Sequence, residues 1–129
     1  MGAPQNLRYT KDHEWARLDD DVVTVGITAY AQDQLGDIVY VEAPEAGARV
    51  AAHETFGTVE STKSVSDLVS PVTGTVSETN DRLVTDPAVM NSDPYGEGWI
   101  MKVAVTNPSE LQALMTAEAY EAYVGSLGH

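Results

Sequence analysis

Short β-forming runs, each shut off by a turn signal, limit what this chain can fold into. Val22-Val23-Thr24-Val25 is a run of β-branched residues, and residues 37–42, 56–61, 66–69, 75–78 and 99–105 read as further strands. Turn chemistry lies between them: Asp19-Asp20-Asp21, Pro44 with Gly47, Pro71 with Gly74, and the loop composition of residues 91–98. The run 37–42 has the character of a central strand. Residues 7–18 split into two short strands about a turn at Asp12-His13. In them Tyr9, Trp15 and Leu18 face inward, and Lys11, Asp12, Glu14 and Arg17 face water. The segments around Gly47 and Gly74 are weakly alike, each a glycine turn feeding a strand.

Helical signals are confined to short stretches. Thr28 can cap a helix whose apolar Ala31 and Leu35 fall four apart, with Gly36 suited to its end. Asp86-Pro87 can open a single turn. Asn107 and Pro108 begin a helix in which Glu110 completes a capping box and Leu111, Leu114 and Met115 share a face. Thr116 caps a last helix that docks through Tyr120, Tyr123 and Val124. The expected organisation is one mainly β domain over residues 7–124, with flexible ends at 1–6 and 125–129. The chain has 129 residues, enough to bury a core without staples.

Charge and cysteine content narrow the function. Seven Lys and Arg stand against twenty Asp and Glu, a net charge of −13. Such a field repels phosphate backbones and anionic lipid headgroups, so no nucleic-acid and no membrane partner is expected; it suits partners with basic patches. No cysteine is present, which removes disulfides, thiolate metal sites and a cysteine nucleophile. Any redox sulfur must come from an attached group. The histidines have no H-E-x-x-H spacing, the acidic triplet lacks the ligand pattern of a calcium loop, and no serine sits in a Gly-x-Ser-x-Gly elbow. An enzyme with its own active site is not indicated. No apolar run approaches transmembrane length, and residues 1–10 carry no signal core. The expected location is the bacterial cytoplasm, or the mitochondrial matrix if the chain is a processed one.

Lys63 remains. It lies between the small residues Thr62 and Ser64, inside a stretch whose flanking runs read as a β-hairpin. An amine on a four-carbon stem at a rigid tip can be reached by a modifying enzyme, and a solubilising lysine would look the same by composition.

The segment Glu60-Ser61-Thr62-Lys63-Ser64-Val65-Ser66-Asp67 resembles the lipoylation segment of the H protein of the glycine cleavage system. So do Tyr9-Thr10-Lys11-Asp12-His13-Glu14-Trp15, Val25-Gly26-Ile27-Thr28, Leu35-Gly36-Asp37-Ile38-Val39-Tyr40-Val41-Glu42, Ser70-Pro71-Val72-Thr73-Gly74 and Asn91-Ser92-Asp93-Pro94-Tyr95-Gly96-Glu97-Gly98-Trp99. The terminal Ala117-Glu118-Ala119-Tyr120 fits too. The blocks follow one another with compatible spacing from Leu7 to Tyr123. Thr62 stands where valine is common, and Gln34 where some relatives carry histidine.

The resemblance implies a mainly β fold of barrel-sandwich-hybrid type: two antiparallel sheets, a lysine-bearing hairpin and short helices, including C-terminal ones. It implies a non-catalytic carrier with (R)-lipoate attached to Lys63 as N6-lipoyllysine. The arm would take an aminomethyl group from the PLP-dependent glycine decarboxylase to the aminomethyltransferase, and its dithiol to dihydrolipoyl dehydrogenase. A lipoyl-attaching enzyme is a fourth partner, and the carrier is expected to be a monomer. Glu14 and Asp67 match positions of a pocket for the aminomethyl-lipoyl arm. Three competing readings stand beside it: a 2-oxoacid dehydrogenase lipoyl or biotinyl domain, a lipoate relay that would use the same lysine, and an acidic module whose lysine is never modified. The first has no place for the Trp15 block or the terminal helices.

Overall fold

In the computed structural model, which describes residues 4–127, the short runs pair into two antiparallel sheets. Six strands form the larger one: β1 (Arg8–Tyr9), β2 (Glu14–Asp19), β3 (Val22–Ile27), β9 (Met101–Val105), β8 (Gly74–Thr79) and β5 (Arg49–Val50), in that spatial order. The smaller sheet is β4 (Ile38–Glu42), β6 (Thr55–Ser61) and β7 (Val65–Val69). Among the described residues four α-helices accompany the sheets: α1 (Ala29–Leu35), α2 (Arg82–Thr85), α3 (Val89–Ser92) and α4 (Ala117–Leu127).

Between the sheets lies an aliphatic core that includes Val23, Val25, Ile27, Ile38, Val59, Leu68, Val72, Val76, Met101 and Val103. Alternation supplies it: Val23, Val25 and Ile27 share one face of β3, and Val41 and Val59 are cross-strand partners. The opposite face of β3 is also covered. Trp15 pairs with Gly26 across the β2–β3 ladder, and a Cβ at Gly26 would come within 2.6 Å of the indole. The indole nitrogen donates to the Pro94 carbonyl at 2.9 Å. Trp15 belongs to a second, aromatic cluster with Leu7, Tyr9, Ala117 and Tyr120, and through this cluster α4 docks on the large sheet. The two glycine turns seen as alike pair with each other: Arg49 faces Thr75, Val50 faces Gly74, and Gly47 N–H donates to the Val76 carbonyl.

Several local expectations are corrected. β4 is an edge strand, and Val39 and Tyr40 stay about half exposed beside a register shift between Ile38 and Tyr40. A β-rich run cannot report how many neighbours its strand will have. Leu18 is exposed while Glu14 is buried, the reverse of their polarity, because the β2 strand leaves the core beyond Ala16. Asn107 makes no capping bond; the segment Pro108–Ala113 is a 3₁₀ helix, and the Glu110 carboxylate accepts from Thr73 N–H and Thr73 Oγ1 instead. Asn91 and Ser92 belong to α3 rather than to a loop, and α2 had no sequence signal. α4 runs to Leu127, so residues 125–127, placed in the flexible end, are helical; residues 1–3 and 128–129 lie outside the described residues.

Candidate functional site

Lys63 occupies the tip of the β6–β7 hairpin. Glu60 faces Val65 in the last ladder pair, and Ser61 N–H donates to the Ser64 carbonyl at 2.8 Å. The Ser61 hydroxyl oxygen accepts from the backbone N–H of Lys63 and of Ser64, so a small polar side chain closes the turn from within. Thr62 N–H donates to the Asp37 carbonyl at 3.0 Å, anchoring the tip to the start of β4. Lys63 itself is exposed, with its stem over Gly36, where a Cβ would sit 3.4 Å from Lys63 Cε. Gly36 has φ 81 and ends α1, a backbone state that glycine adopts without strain.

The anchor has its own support. Asn91 Nδ2 donates to the Gly36 carbonyl at 2.8 Å and to Gln32 Oε1, and Asn91 Oδ1 accepts from Ile38 N–H at 2.9 Å. One amide therefore fixes the α1–β4 junction on which the lysine turn rests. Only its place in a family-like block marked Asn91 beforehand.

A cleft of about 250 Å³ opens on the other strand of the same hairpin. Its lining includes Asp12 and His13 from the β1–β2 turn, Glu14 from the start of β2, Tyr30 and Gln34 from α1, and Asp67 from β7. Both acids singled out by the sequence thus border one space, with no lysine or arginine in its lining. Consecutive residues of a regular strand point to opposite faces, yet Asp12, His13 and Glu14 all reach this cleft. His13 makes that possible by taking the left-handed conformation, φ 70, which redirects the chain at the turn.

The two acids differ in kind. Glu14 is 1% exposed; its Oε1 accepts from Thr10 Oγ1 at 2.6 Å and its Oε2 from Val69 N–H at 3.1 Å. Burial outweighs those two hydrogen bonds and pushes its pKa up from 4.5 to about 8. Asp67 is exposed at the rim and faces Thr58 across the ladder. A strand rise of about 3.3 Å per residue puts it roughly 13 Å along the chain from Lys63. Acids without a cation beside them suit a positively charged guest. Among the described residues no group of three or more His, Asp or Glu is placed to hold a metal ion. His13, whose sequence spacing gave no metal pattern, is half-buried in the cleft lining, with Nδ1 2.9 Å from the Tyr120 hydroxyl.

Comparison with known proteins agrees with this geometry. The family model described as glycine cleavage H-protein matches residues 7–126. The glycine cleavage system H protein of Chlorobaculum parvum is 54% identical over 127 residues, covering 97% of this chain and 99% of that one. Its counterpart in Symbiobacterium thermophilum is 52% identical over 120 residues, covering 93% and 94%. The crystal structure of a glycine cleavage system H protein from Mycobacterium marinum superposes with a TM-score of 0.86 at 43% identity, covering 98% of this chain and all of that one. The sandwich of two antiparallel sheets, the hairpin and the C-terminal helix are those of its relatives, and the chain belongs to the glycine cleavage H-protein family, the non-catalytic lipoyl carriers of the glycine cleavage system.

Proposed function

We propose that Lys63 bears the lipoyl group as N6-lipoyllysine, and that the cleft bordered by Glu14 and Asp67 shelters the aminomethyl-loaded arm between enzymes. One observation carries this: the exposed lysine and the acid-lined cleft are built on the same hairpin, within an arm's length of each other. When bound, the lipoyl group supplies the two sulfurs that the cysteine-free chain lacks. The chain's own residues hold and protect the cargo. A primary amine entering the cleft is protonated, and its ammonium meets carboxyl groups and no competing cation. An arriving ammonium favours the ionised form of Glu14, so the buried acid releases its proton as the charge pair forms. Keeping the amine protonated withdraws the lone pair that would otherwise expel the sulfur. The walls of the cleft limit the approach of water.

The carrier meets four partners in this reading: the PLP-dependent glycine decarboxylase, the aminomethyltransferase, dihydrolipoyl dehydrogenase and a lipoyl-attaching enzyme. Its net charge of −13 favours basic docking faces on them. It acts as a monomeric single domain over residues 7–124. The bacterial origin of its relatives supports a place in the bacterial cytoplasm, and no helix among the described residues is long and apolar enough to cross a membrane.

Intact-mass measurement after production with lipoate tests the attachment. The chain gains one lipoyl mass and Lys63→Arg gains none; added mass persisting in Lys63→Arg refutes the assignment. Spontaneous release of the carried group tests the cleft: it speeds up in Glu14→Ala and Asp67→Ala, and unchanged release in both removes the sheltering role. Support of bicarbonate exchange into the glycine carboxyl by the lipoylated chain with the decarboxylase tests the partnership.

A further inference from the structure

The hydroxyl of Tyr120 ties the C-terminal helix to two sides of the cleft. It lies 2.7 Å from Thr28 Oγ1 and 2.9 Å from His13 Nδ1, while its ring stacks on Tyr9 at 4.7 Å between centroids. Thr28 is the N-cap of α1, the helix that provides Tyr30, Ala31, Gln34 and Leu35 to the cleft wall. His13 comes from the opposite side, out of the left-handed turn between β1 and β2.

The direction of the protons follows from burial. Thr28 is 0% exposed, and its Oγ1 already accepts from Ala31 N–H at 3.1 Å. The proton of Thr28 therefore has the Tyr120 oxygen as its acceptor. If Tyr120 donated to Thr28 instead, the threonine proton would be buried without a partner, at a cost of about 1–3 kcal/mol. Thr28 donates to Tyr120, Tyr120 donates to His13 Nδ1, and a neutral imidazole accepting at Nδ1 carries its proton on Nε2. Burial lowers the His13 pKa below its ordinary 6.5, which keeps the ring neutral at pH 7. Nε2 has no partner among the described residues, and no sealed polar side-chain atom there lacks one, so Nε2–H is on an accessible edge of a ring that lines the cleft.

We propose that His13, oriented by Tyr120, is the hydrogen-bond donor of the carrying cleft: the acids accept from the ammonium of the cargo, and His13 Nε2–H donates to the sulfur of the arm that bears no cargo. This rests on the cleft being the resting place of the loaded arm. A neutral donor suits the position because a charged imidazolium would repel the ammonium. Glu14 and Asp67 offer only acceptors when ionised, so the imidazole supplies what they cannot. The C-terminal helix thereby becomes part of the carrying site, with Tyr120 a positioning residue.

The first test needs no lipoate. Long-range ¹⁵N–¹H spectra of the unmodified full chain at pH 7 show His13 with a bare Nδ1 and a protonated Nε2. In Tyr120→Phe, which keeps the stack on Tyr9, the two tautomers mix. A proton on Nδ1 in the wild type overturns the proposal. The second test loads the lipoylated chain with labelled glycine through the decarboxylase and follows hydrolysis, in which water yields formaldehyde and ammonium and returns the sulfur as a thiol. His13→Asn suits the left-handed backbone but lacks the ring's reach, and it releases the cargo about fivefold faster, the factor for one hydrogen bond of about 1 kcal/mol. Tyr120→Phe releases it about twofold faster. Tyr9→Phe, whose hydroxyl donates to the Pro4 carbonyl and has no other hydrogen-bond partner among the described residues, matches the wild type. Wild-type release from His13→Asn and Tyr120→Phe, alongside faster release from Glu14→Gln, refutes the His13 role and leaves the cleft standing. Wild-type release from all of these and from Asp67→Asn removes the cleft and the donor together.

Discussion

Replacing Glu14 by Gln separates burial from charge at the base of the cleft. The carboxyl is almost fully buried, and its folded pKa of about 8 stands well above the ordinary 4.5. A group with a raised folded pKa stabilises the fold as the neutral acid. That contribution is complete below pH ~4.5 and is lost as the pH climbs through about 8. At ~1.4 kcal/mol per pH unit, the chain loses roughly 3 kcal/mol through this group between pH 5 and pH 7.5. Gln escapes the loss but carries a cost of its own. Its oxygen can accept from Val69 N–H, but its amide nitrogen, unlike the hydroxyl oxygen of a neutral carboxyl, cannot accept the proton of Thr10 Oγ1, which already accepts from the N–H groups of Asp12 and Glu14. One hydrogen bond is forfeited, at about 1–2 kcal/mol. The two stability curves therefore cross near pH 6: Glu14→Gln is the weaker protein at pH 5 and the stronger one at pH 7.5, by about 1–2 kcal/mol each way. Urea unfolding of the unlipoylated chains at constant ionic strength, followed by fluorescence of the buried Trp15, measures the difference, in which the other acids cancel. Parallel curves refute the neutral buried acid. A Gln variant that falls further behind as the pH rises shows that the folded chain holds a carboxylate there.

Two further substitutions probe the support of the lysine turn. A Cβ at Gly57 would run into the Glu42 carbonyl across the β4–β6 pairing, so Gly57→Ala forces the smaller sheet apart, lowers stability by about 3 kcal/mol or more, and slows lipoyl attachment at the untouched Lys63. Asn91→Ala removes the acceptor of Ile38 N–H and the donor to the Gly36 carbonyl; it costs about 2–3 kcal/mol in urea unfolding and reduces the attachment rate measured by intact mass.

What the linear sequence determines here is local. Val22-Val23-Thr24-Val25 favours a strand through its β-branched side chains, Thr28 caps α1 by its own hydroxyl, and the runs on either side of Lys63 leave a hairpin as the simplest join. The order of family-like blocks along the chain also points to the carrier family. Tertiary structure decides everything that depends on who stands beside whom. Residues 37–42 look like a central strand and become an edge, because strand composition does not record the number of paired neighbours. Glu110 looks like half of a capping box and instead clamps Thr73, which lies far away in the chain. Glu14 looks like a solvated acid and becomes a buried one, since its environment is made by Thr10, Val69 and the walls of a cleft that exists only once α1, β2 and β7 converge. His13 follows the same logic: its Nδ1 meets the hydroxyl of a tyrosine 107 positions further along, which in turn meets a threonine 15 positions beyond the histidine. Burial and hydrogen-bond partnership are properties of the packed chain, and they give this acid and this histidine surroundings that residue type alone does not specify.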